Sequence, residues 1–465
     1  MNKLIILAGI AYGLLSLIPH FNFQTNAFDM GIFNQTIQQY ANGVLGPNTV
    51  RSVPILLADH LELLLFIFSP LYWLFGSYTL LIVQIAATLF GGYGVYLFVK
   101  NQLSTHQRGE LIALTAAATF FMFFGLLTAL AFDYHNNVVG IMFLPWMMYF
   151  SLRKKYVPYY FMLALLLISK ENMGLISAFW GISLLFEKDH KAKLHGLITF
   201  LVSGIYVVAS LKIIAALNTT GQYDHWQYSA LGSSPTQALL YIITHPLATL
   251  GLLFNDPIKI KVWILLMLSG GIFVIGKPRY ALLLIPIIAQ KFLSDMPSFW
   301  GYAFHYSVEF APIIAIGAAL AIGTHIKNKR LQLLLLSGLL ISNVVILTRI
   351  HFYNGESLSR LFTPTYYTGP SNKDTLVRAL DFIQDAPSVS AQNTIVPHLK
   401  NRNIYLYPEV KDSNFIVLNS RDTNSWPLTA TDIKAAIGSL QENTSYKKVF
   451  DEEEIMIFER LIKVP

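Results

Sequence analysis

The chain has 465 residues, of which 54% are hydrophobic and 13% are charged, and its mean hydropathy is +0.50. Soluble domains carry about 25% charged residues, so this composition argues against a soluble protein and is typical of a polytopic membrane protein. The sequence contains no cysteine, which excludes disulfides, thiolate metal sites and a cysteine nucleophile.

The net charge of +7 is unevenly distributed along the chain. Residues 1–351 hold 21 Lys and Arg against 12 Asp and Glu, whereas residues 352–465 hold 12 against 14. The basic excess therefore belongs to the hydrophobic part, and no nucleic-acid partner is predicted.

About eleven hydrophobic runs approach the ~20 residues that a straight membrane crossing needs, although several are shorter and one or two could be re-entrant. The predicted spans are 4–19, 79–99, 111–131, 138–152, 156–169, 172–186, 195–216, 262–276, 280–293, 306–324 and 331–350.

Basic clusters fall in alternate loops between these spans, which is the pattern of a cytoplasmic face. They are Lys3, Lys100 with Arg108, Arg153 to Lys155, Lys188 with Lys191 and Lys193, Lys277 with Arg279, and Lys327 with Lys329 and Arg330. This parity predicts a cytoplasmic N-terminus and an extracytoplasmic C-terminus, provided that residues 61–75 do not cross. That stretch contains Pro70 and ends in Tyr72 and Trp73, so we interpret it as an interfacial helix within an outer loop, 20–78.

The composition changes after residue 351, so we predict a transmembrane domain, 1–351, and a small extracytoplasmic α/β domain, 352–465. "SVSAQNTIVPHL", "NIYLYP", "NFIVLNS" and "SYKKVFDEEEIMIFER" are predicted as β-rich segments, the last as a hairpin, and "NKDTLVRALDFIQD" as a helix. The predicted fold class is therefore a mainly α, polytopic membrane protein with a C-terminal α/β domain.

Ionisable residues gather at the predicted outer ends of the spans. They are Asp29, Asp59, His60, Asp133, His135, Lys170, Glu171, His305 and Glu309. A transporter or flippase should instead carry charges through the bilayer depth and an inverted repeat, whereas the mid-span positions here are nearly all apolar or small. The pattern favours a binding or reaction site at the outer membrane surface.

Each of these groups also has a structural interpretation. Asp29 could cap the helix that carries Met30, Phe33 and Ile37, and Asp59 with His60 could cap the interfacial helix. Asp133 and His135 could form a solvated turn, Lys170 and Glu171 an interfacial pair, and His305 and Glu309 an i,i+4 pair on one helix face.

Several stretches of the sequence resemble a known family. "FDMGIFNQTIQQYANG", "DHLELLLFIFSPLYWLFGSYTLLIVQIAATLFGGYGVYLFVKNQL", "FDYHNNVVGIMFLPWMMYF", "ISKENMGLI" and "SVSAQNTIVPHL" closely resemble the predicted membrane proteins called domain of unknown function 2079. That family in turn resembles the lipid-phosphate-sugar-dependent glycosyltransferases of the GT-C class, in which an acid in the first outer loop precedes an interfacial helix.

The resemblance implies an inverting sugar transfer on the outer face, with a polyprenyl-phosphate sugar as donor and a glycan, lipid or protein as acceptor. By its position Asp29 matches the catalytic base, although Met30 and Gly31 follow it where many members have a second acid or an arginine. The implied cations for the lipid phosphate are Lys170, His60 and Arg51. Asp133, His135, Glu171, His305 and Tyr306 would hold sugar hydroxyls or phosphate, and Asp59 and Glu309 complete the predicted binding set.

Two alternatives and one cofactor stay open at this stage. The chain could be a transporter or flippase of lipid-linked substrates, or a non-catalytic scaffold for envelope enzymes. A divalent metal is possible because Asp, Glu and His are ligands for such ions, but the sequence shows no metal-ligand spacing, so no metal site is assigned.

Overall fold

The computed structural model describes residues 1–461 and is mainly helical. The α-helices before residue 351 are Asn2–Phe21, Ile32–Ala41, Leu64–Phe68, Tyr72–Phe75, Thr79–Gln102, Gly109–Phe121, Phe124–Leu130, Asn136–Ile141, Leu144–Leu152, Tyr156–Leu167, Met173–Leu185, His190–Leu217, Pro235–Thr244, Pro246–Leu252, Pro257–Leu266, Ile272–Val274, Pro278–Phe292, Pro297–Trp300, Ala311–His325 and Lys329–Leu347. The later helices are Thr365–Thr368, Lys373–Phe382 and Ala430–Glu442.

Every predicted span is helical over at least part of its length. Within residues 1–461, six helices are long and apolar enough to cross a membrane, and a seventh is counted if a pair bent by 44° forms one span. The six are Asn2–Phe21, Leu64–Gln102, His190–Leu217, Pro257–Val274, His305–His325 and Lys329–Leu347, and the bent pair is Gly109–Phe121 with Phe124–Leu130. The polytopic class is thereby confirmed, while the number eleven stays a prediction.

Two of the long apolar helical stretches are interrupted at glycine residues. The stretch 64–75 consists of short helical turns and ends at Gly76, whose φ of 54° and ψ of −135° suit glycine alone. The long helix Thr79–Gln102 begins shortly after this break. The helix that follows Pro257 is kinked at Gly270, where φ is 119°. Among the six long apolar helices, His305–His325 is the most enclosed. In its most apolar segment 94% of the residues are buried, because the other helices surround it.

The C-terminal region folds as a five-stranded mixed sheet with helices packed on it. The strands are β1 (Ser388–Ala391), β2 (Asn403–Leu406), β3 (Phe415–Asn419), β4 (Tyr446–Glu452) and β5 (Ile455–Arg460), in the order β2-β1-β3-β5-β4. β1 is parallel to β2 and β3, and β5 is antiparallel to β3 and β4. The predicted hairpin is confirmed as β4 and β5, joined through Glu453 and Glu454 with φ of 47° and 66°.

One continuous hydrophobic core joins the membrane helices to one side of the sheet. Buried side chains of the first loop, such as Met30 and Phe33, belong to the same cluster as Val389 and Val396 of the C-terminal region. A smaller cluster packs Ile433 and Ile437 of the last helix, Ala430–Glu442, on the sheet. The C-terminal region is therefore packed directly against the loop that follows the first helix.

Candidate functional site

Asp29 lies at a strained turn between two helices. Its φ of 80° and ψ of −68° are those of a γ-turn, a backbone conformation that is rare for a residue with a side chain. Such strain costs about 1–3 kcal/mol and has to be held by the surrounding structure. The following helix begins at Ile32 with Gly31 at its N-cap position and no side-chain cap. The interpretation of Asp29 as the helix cap is therefore wrong, and its side chain is 31% exposed.

The turn is held by contacts on both sides of Asp29. On one side the backbone N–H of Asn26 donates to Asp133 Oδ2 at 3.0 Å, and the Ala27 N–H donates to Asn393 Oδ1 at 2.8 Å. On the other side Gly31 lies so close to Val396 that a Cβ at residue 31 would be 2.7 Å from Val396 Cγ1. Residues of both the membrane part and the C-terminal region therefore hold the turn in place.

The His135 ring lies beside the Asp29 carboxylate. Its Nε2 is 3.2 Å from Asp29 Oδ2, within ion-pair distance but without hydrogen-bond geometry. The ring stacks on His305, with centroids 3.5 Å apart. Buried Gln84 fixes the loop, because it accepts a hydrogen bond from the His135 N–H at 2.9 Å and donates to the carbonyl of Asp133 at 2.8 Å.

A second group of charged residues lines a cavity together with Asp29 and His135. Arg51 donates two hydrogen bonds to Asp59, at 3.1 and 3.2 Å, and His225 Nε2 is 2.9 Å from the same carboxylate. His60 Nδ1 is 2.7 Å from Glu171 Oε1, and its ring stacks on His225. Although burial opposes ionisation, His60 and Lys170 keep the pKa of Glu171 at about 2. The pKa of Asp59 lies below its ordinary value despite burial, because His225 hydrogen-bonds to it and His60 and Arg51 lie nearby.

Two lysines face this cavity, the partly buried Lys170 and the buried Lys291, and each lies beside a buried glutamate. Lys170 Nζ is 3.6 Å from Glu62 Oε1, and Lys291 Nζ donates to Glu309 Oε1 at 3.0 Å. Burial lowers the pKa of Lys170 less than the carboxylates raise it, so Lys170 remains charged. The predicted i,i+4 pair of His305 and Glu309 is not formed, because Glu309 turns toward Lys291 and His305 stacks on His135.

The cavity that these groups share, hereafter called the central cavity, has a volume of about 630 Å³. Nine of the eleven predicted residues line it: Asp29, Arg51, Asp59, His60, His135, Lys170, Glu171, His305 and Tyr306. Asp133 lies outside it, on a small neighbouring cavity of about 20 Å³, and Glu309 is fully buried beneath Lys291.

Sequence reasoning missed several residues that line the cavity. They are Asn172, Tyr223, His225, Gln290 and Lys291. Lys291 ends an apolar helix, where a single lysine reads as an interfacial anchor, and His225 lies in a polar loop without a motif. Each acquires its place only through a partner distant in sequence, Glu309 for Lys291 and Asp59 for His225.

A candidate metal-binding group exists at one side of the cavity. Within residues 1–461, Asp59, His60 and His225 each offer a ligand atom within 4.8 Å of the others. Asp and His are acceptable ligands for zinc and other divalent metals. Arg51 already donates to Asp59 and Glu171 is hydrogen-bonded to His60, so both of these side chains have partners without an ion. The sequence assigned no metal site, and the divalent ion that it left open stays an untested alternative for which this trio would supply the ligands.

The chain is similar to a described family and to two solved structures. The family described as "Predicted membrane protein (DUF2079)" matches residues 19–456, whereas no curated protein matches. ArnT from Cupriavidus metallidurans bound to undecaprenyl phosphate is 11% identical, with a TM-score of 0.57 over 99% of this chain and 98% of that one. Its apo state gives 11% and 0.57 over 98% and 97%. These likenesses confirm the predicted resemblance and the GT-C-like fold.

Proposed function

The chain belongs to DUF2079, a family of predicted membrane proteins, and we propose that it transfers a sugar from a polyprenyl-phosphate donor to an acceptor on the outer face of the membrane. The observation that carries this proposal is the common cavity of about 630 Å³, which a partly exposed carboxylate, Asp29, shares with two lysines, the partly buried Lys170 and the buried Lys291. The likeness to ArnT, whose structure was solved with undecaprenyl phosphate, supports the class of donor.

The chemistry needs one base and a stabilised leaving group. The acceptor hydroxyl gives its proton to the Asp29 carboxylate while its oxygen attacks the anomeric carbon from the side opposite to the phosphate. The bond from that carbon to the phosphate oxygen breaks, and the lipid phosphate leaves with the electron pair. The product has the inverted configuration at the anomeric carbon. Lys170 and Lys291 stabilise the negative charge that develops on the leaving phosphate. His135 and the strained turn orient the carboxylate.

The location of the protein is part of the proposal. A multi-pass protein of the cell membrane, with a cytoplasmic N-terminus and an extracytoplasmic C-terminal domain, would present the cavity to the outer leaflet, where membrane lipids deliver the donor. The proposed domains are 1–351 and 352–465. A flippase would need charged groups spread through the depth of the bilayer. The ionisable groups of this site gather instead around one cavity at one end of the bundle, which favours transfer.

The decisive test is Asp29→Asn in the purified full-length chain. With a panel of undecaprenyl-phosphate hexoses, we expect the release of undecaprenyl phosphate to fall about 10²–10⁴-fold, the contribution of a general base, while donor binding persists. Asp385→Asn is the matched control, because Asp385 is an exposed acid of the C-terminal region. A wild-type chain that binds none of these lipids would contradict the proposal, as would an Asp29→Asn variant with undiminished turnover.

A further inference from the structure

A second cavity, of about 240 Å³, lies where the end of the first helix meets the C-terminal region. Its lining shares no residue with the central cavity. The membrane side contributes Phe21, Phe23 and Tyr78, and the remaining residues are Lys373, Val377, Leu380, Asp381, Gln384, His398, Leu399, Lys400 and Asn401. It is hereafter called the junction cavity.

The junction cavity is located at the level of the membrane boundary. Phe21 is the last residue of the 20-residue helix Asn2–Phe21, and its side chain is 52% exposed. His20, in the same turn, contacts the edge of the Tyr78 ring and lies 2.9 Å from Ser77 Oγ. The short helix Tyr72–Phe75, which precedes Ser77 and Tyr78, contains Trp73, and Trp73 is 74% exposed. Exposed aromatic residues at the end of an apolar helix mark the headgroup region of a bilayer.

The polar groups of the junction cavity favour an anion. Lys373 Nζ lies over the Phe21 ring and 3.3 Å from Asn22 Oδ1, and Lys400 is exposed at the rim. One carboxylate, Asp381, opposes these two lysines. His398 is stacked between His20 and Phe23, and its Nε2 is buried without a hydrogen-bond partner among the described residues. A buried nitrogen without a partner is costly, and this one belongs to a ring in the wall of the cavity.

We propose that the junction cavity binds the phosphate headgroup of an anionic membrane phospholipid. Lys373 and Lys400 pair with the phosphate, as basic pockets at the membrane surface do with anionic headgroups, while Phe21 and Val377 contact the first carbons of an acyl chain. At about 240 Å³ the cavity is smaller than typical small-molecule sites of ~300–1,000 Å³, so it admits a headgroup rather than a whole lipid. Burial keeps the pKa of His398 well below its ordinary value, so a neutral imidazole lies beside the headgroup.

Such a lipid would connect the C-terminal region to the bilayer. The helix Lys373–Phe382 supplies one wall of the cavity and the end of the first helix supplies the other. An occupied cavity therefore stabilises the position of the C-terminal region on the membrane part. This inference is independent of the proposed transfer reaction, because it involves none of the residues of the central cavity.

The test compares three probes with the full-length chain in detergent: dioctanoyl phosphatidylglycerol, dioctanoyl phosphatidylcholine and inorganic phosphate. Binding constants from native mass spectrometry are expected to be at least tenfold tighter for phosphatidylglycerol than for the other two. Lys373→Gln with Lys400→Gln is expected to weaken phosphatidylglycerol binding about tenfold. Lys434→Gln with Lys447→Gln removes the same charge from exposed positions of the C-terminal region and is expected to leave binding unchanged.

A second variant removes space rather than charge. Val377 is 44% exposed on a helix surface, so Val377→Trp is tolerated by the fold while it fills the mouth of the cavity and weakens phosphatidylglycerol binding. The proposal is overturned if both cavity variants bind phosphatidylglycerol as the wild type does. It is equally overturned if phosphatidylcholine or inorganic phosphate binds as tightly, because the site would then recognise neither the charge nor the lipid.

Discussion

At the scale of single residues, four carboxylates of the loops near the central cavity fall into two kinds. Asp59 and Glu171 each have a close cationic or imidazole partner, and the pKa of each is low. Asp133 and Glu62 are buried with weaker compensation, and burial raises the pKa of each to about 8. For Asp133 the nearby Asp29 carboxylate raises the pKa further, while hydrogen bonds from Asn26 oppose it. A neutral Asp133 is thus a structural acid rather than a second base.

This difference predicts the direction in which pH changes stability. The folded chain retains the Asp133 proton up to about pH 8, whereas the ordinary pKa is 3.8, so stability falls as pH rises between these values. We expect Asp133→Asn, which keeps an oxygen acceptor for Asn26, to raise the apparent unfolding temperature at pH 8.5 by about 2–4 °C, the shift that 1 kcal/mol gives in larger domains. It should also flatten the fall from pH 6 to 8.5.

Glu62 is expected to leave a residual slope in that variant, because its pKa is also raised to about 8. Exposed Asp385→Asn serves as the control and should leave the pH profile unchanged. A lower unfolding temperature for Asp133→Asn at pH 8.5 would show that Asp133 works as an ionised group, contrary to this prediction.

At the scale of elements, the strained turn of Asp29 depends on a close contact between two parts of the chain. Gly31 has no room for a methyl group, since Val396 Cγ1 would be 2.7 Å from its Cβ. Val396 is itself 1% exposed in the main core. The helix Ile32–Ala41 and the short turn Val396–His398 are therefore matched in size at this point.

A size-exchange experiment tests this match. Gly31→Ala alone is expected to destabilise the chain by about 1–3 kcal/mol, the usual cost of overpacking, and to reduce turnover through the displaced Asp29. Val396→Ala in the same chain makes room for the new methyl group, so the double variant should recover most of the lost stability. Thermal unfolding of the single and double variants measures the coupling. Simple additivity of the two losses would contradict the proposed contact.

Some elements and site residues were predictable from the sequence, and others were not. The hairpin Tyr446–Arg460 was predictable because alternation and a turn are local signals, and nine of the eleven predicted site residues reached one cavity because loops of the same face converge. The break at Met122 and Phe123 was not predictable, because an uninterrupted apolar run has the same pattern whether the helix bends or continues straight. Lys291 was missed because its buried partner comes from another helix.

At the scale of the whole molecule, the C-terminal region is packed on the end of the bundle that holds the central cavity. Asn393 bonds to the loop before Asp29, and Tyr366 donates to the carbonyl of Leu14 in the first helix. The loop 326–328 joins Ala311–His325 to Lys329–Leu347, a helix of 19 residues and thus about 28 Å long. That loop is therefore at the opposite end of the bundle from the C-terminal region.

The absence of cysteine makes the predicted orientation directly measurable. Lys327→Cys and Lys434→Cys each place one thiol at an exposed position, the first in the loop 326–328 and the second on the C-terminal helix Ala430–Glu442. A membrane-impermeant maleimide applied to intact cells is expected to label Cys at 434, and to label Cys at 327 only after permeabilisation. The basic residues beside 327 favour the cytoplasmic side for that loop. The reverse labelling would move the central cavity to the cytoplasmic face, where an outer-leaflet donor could not reach Asp29.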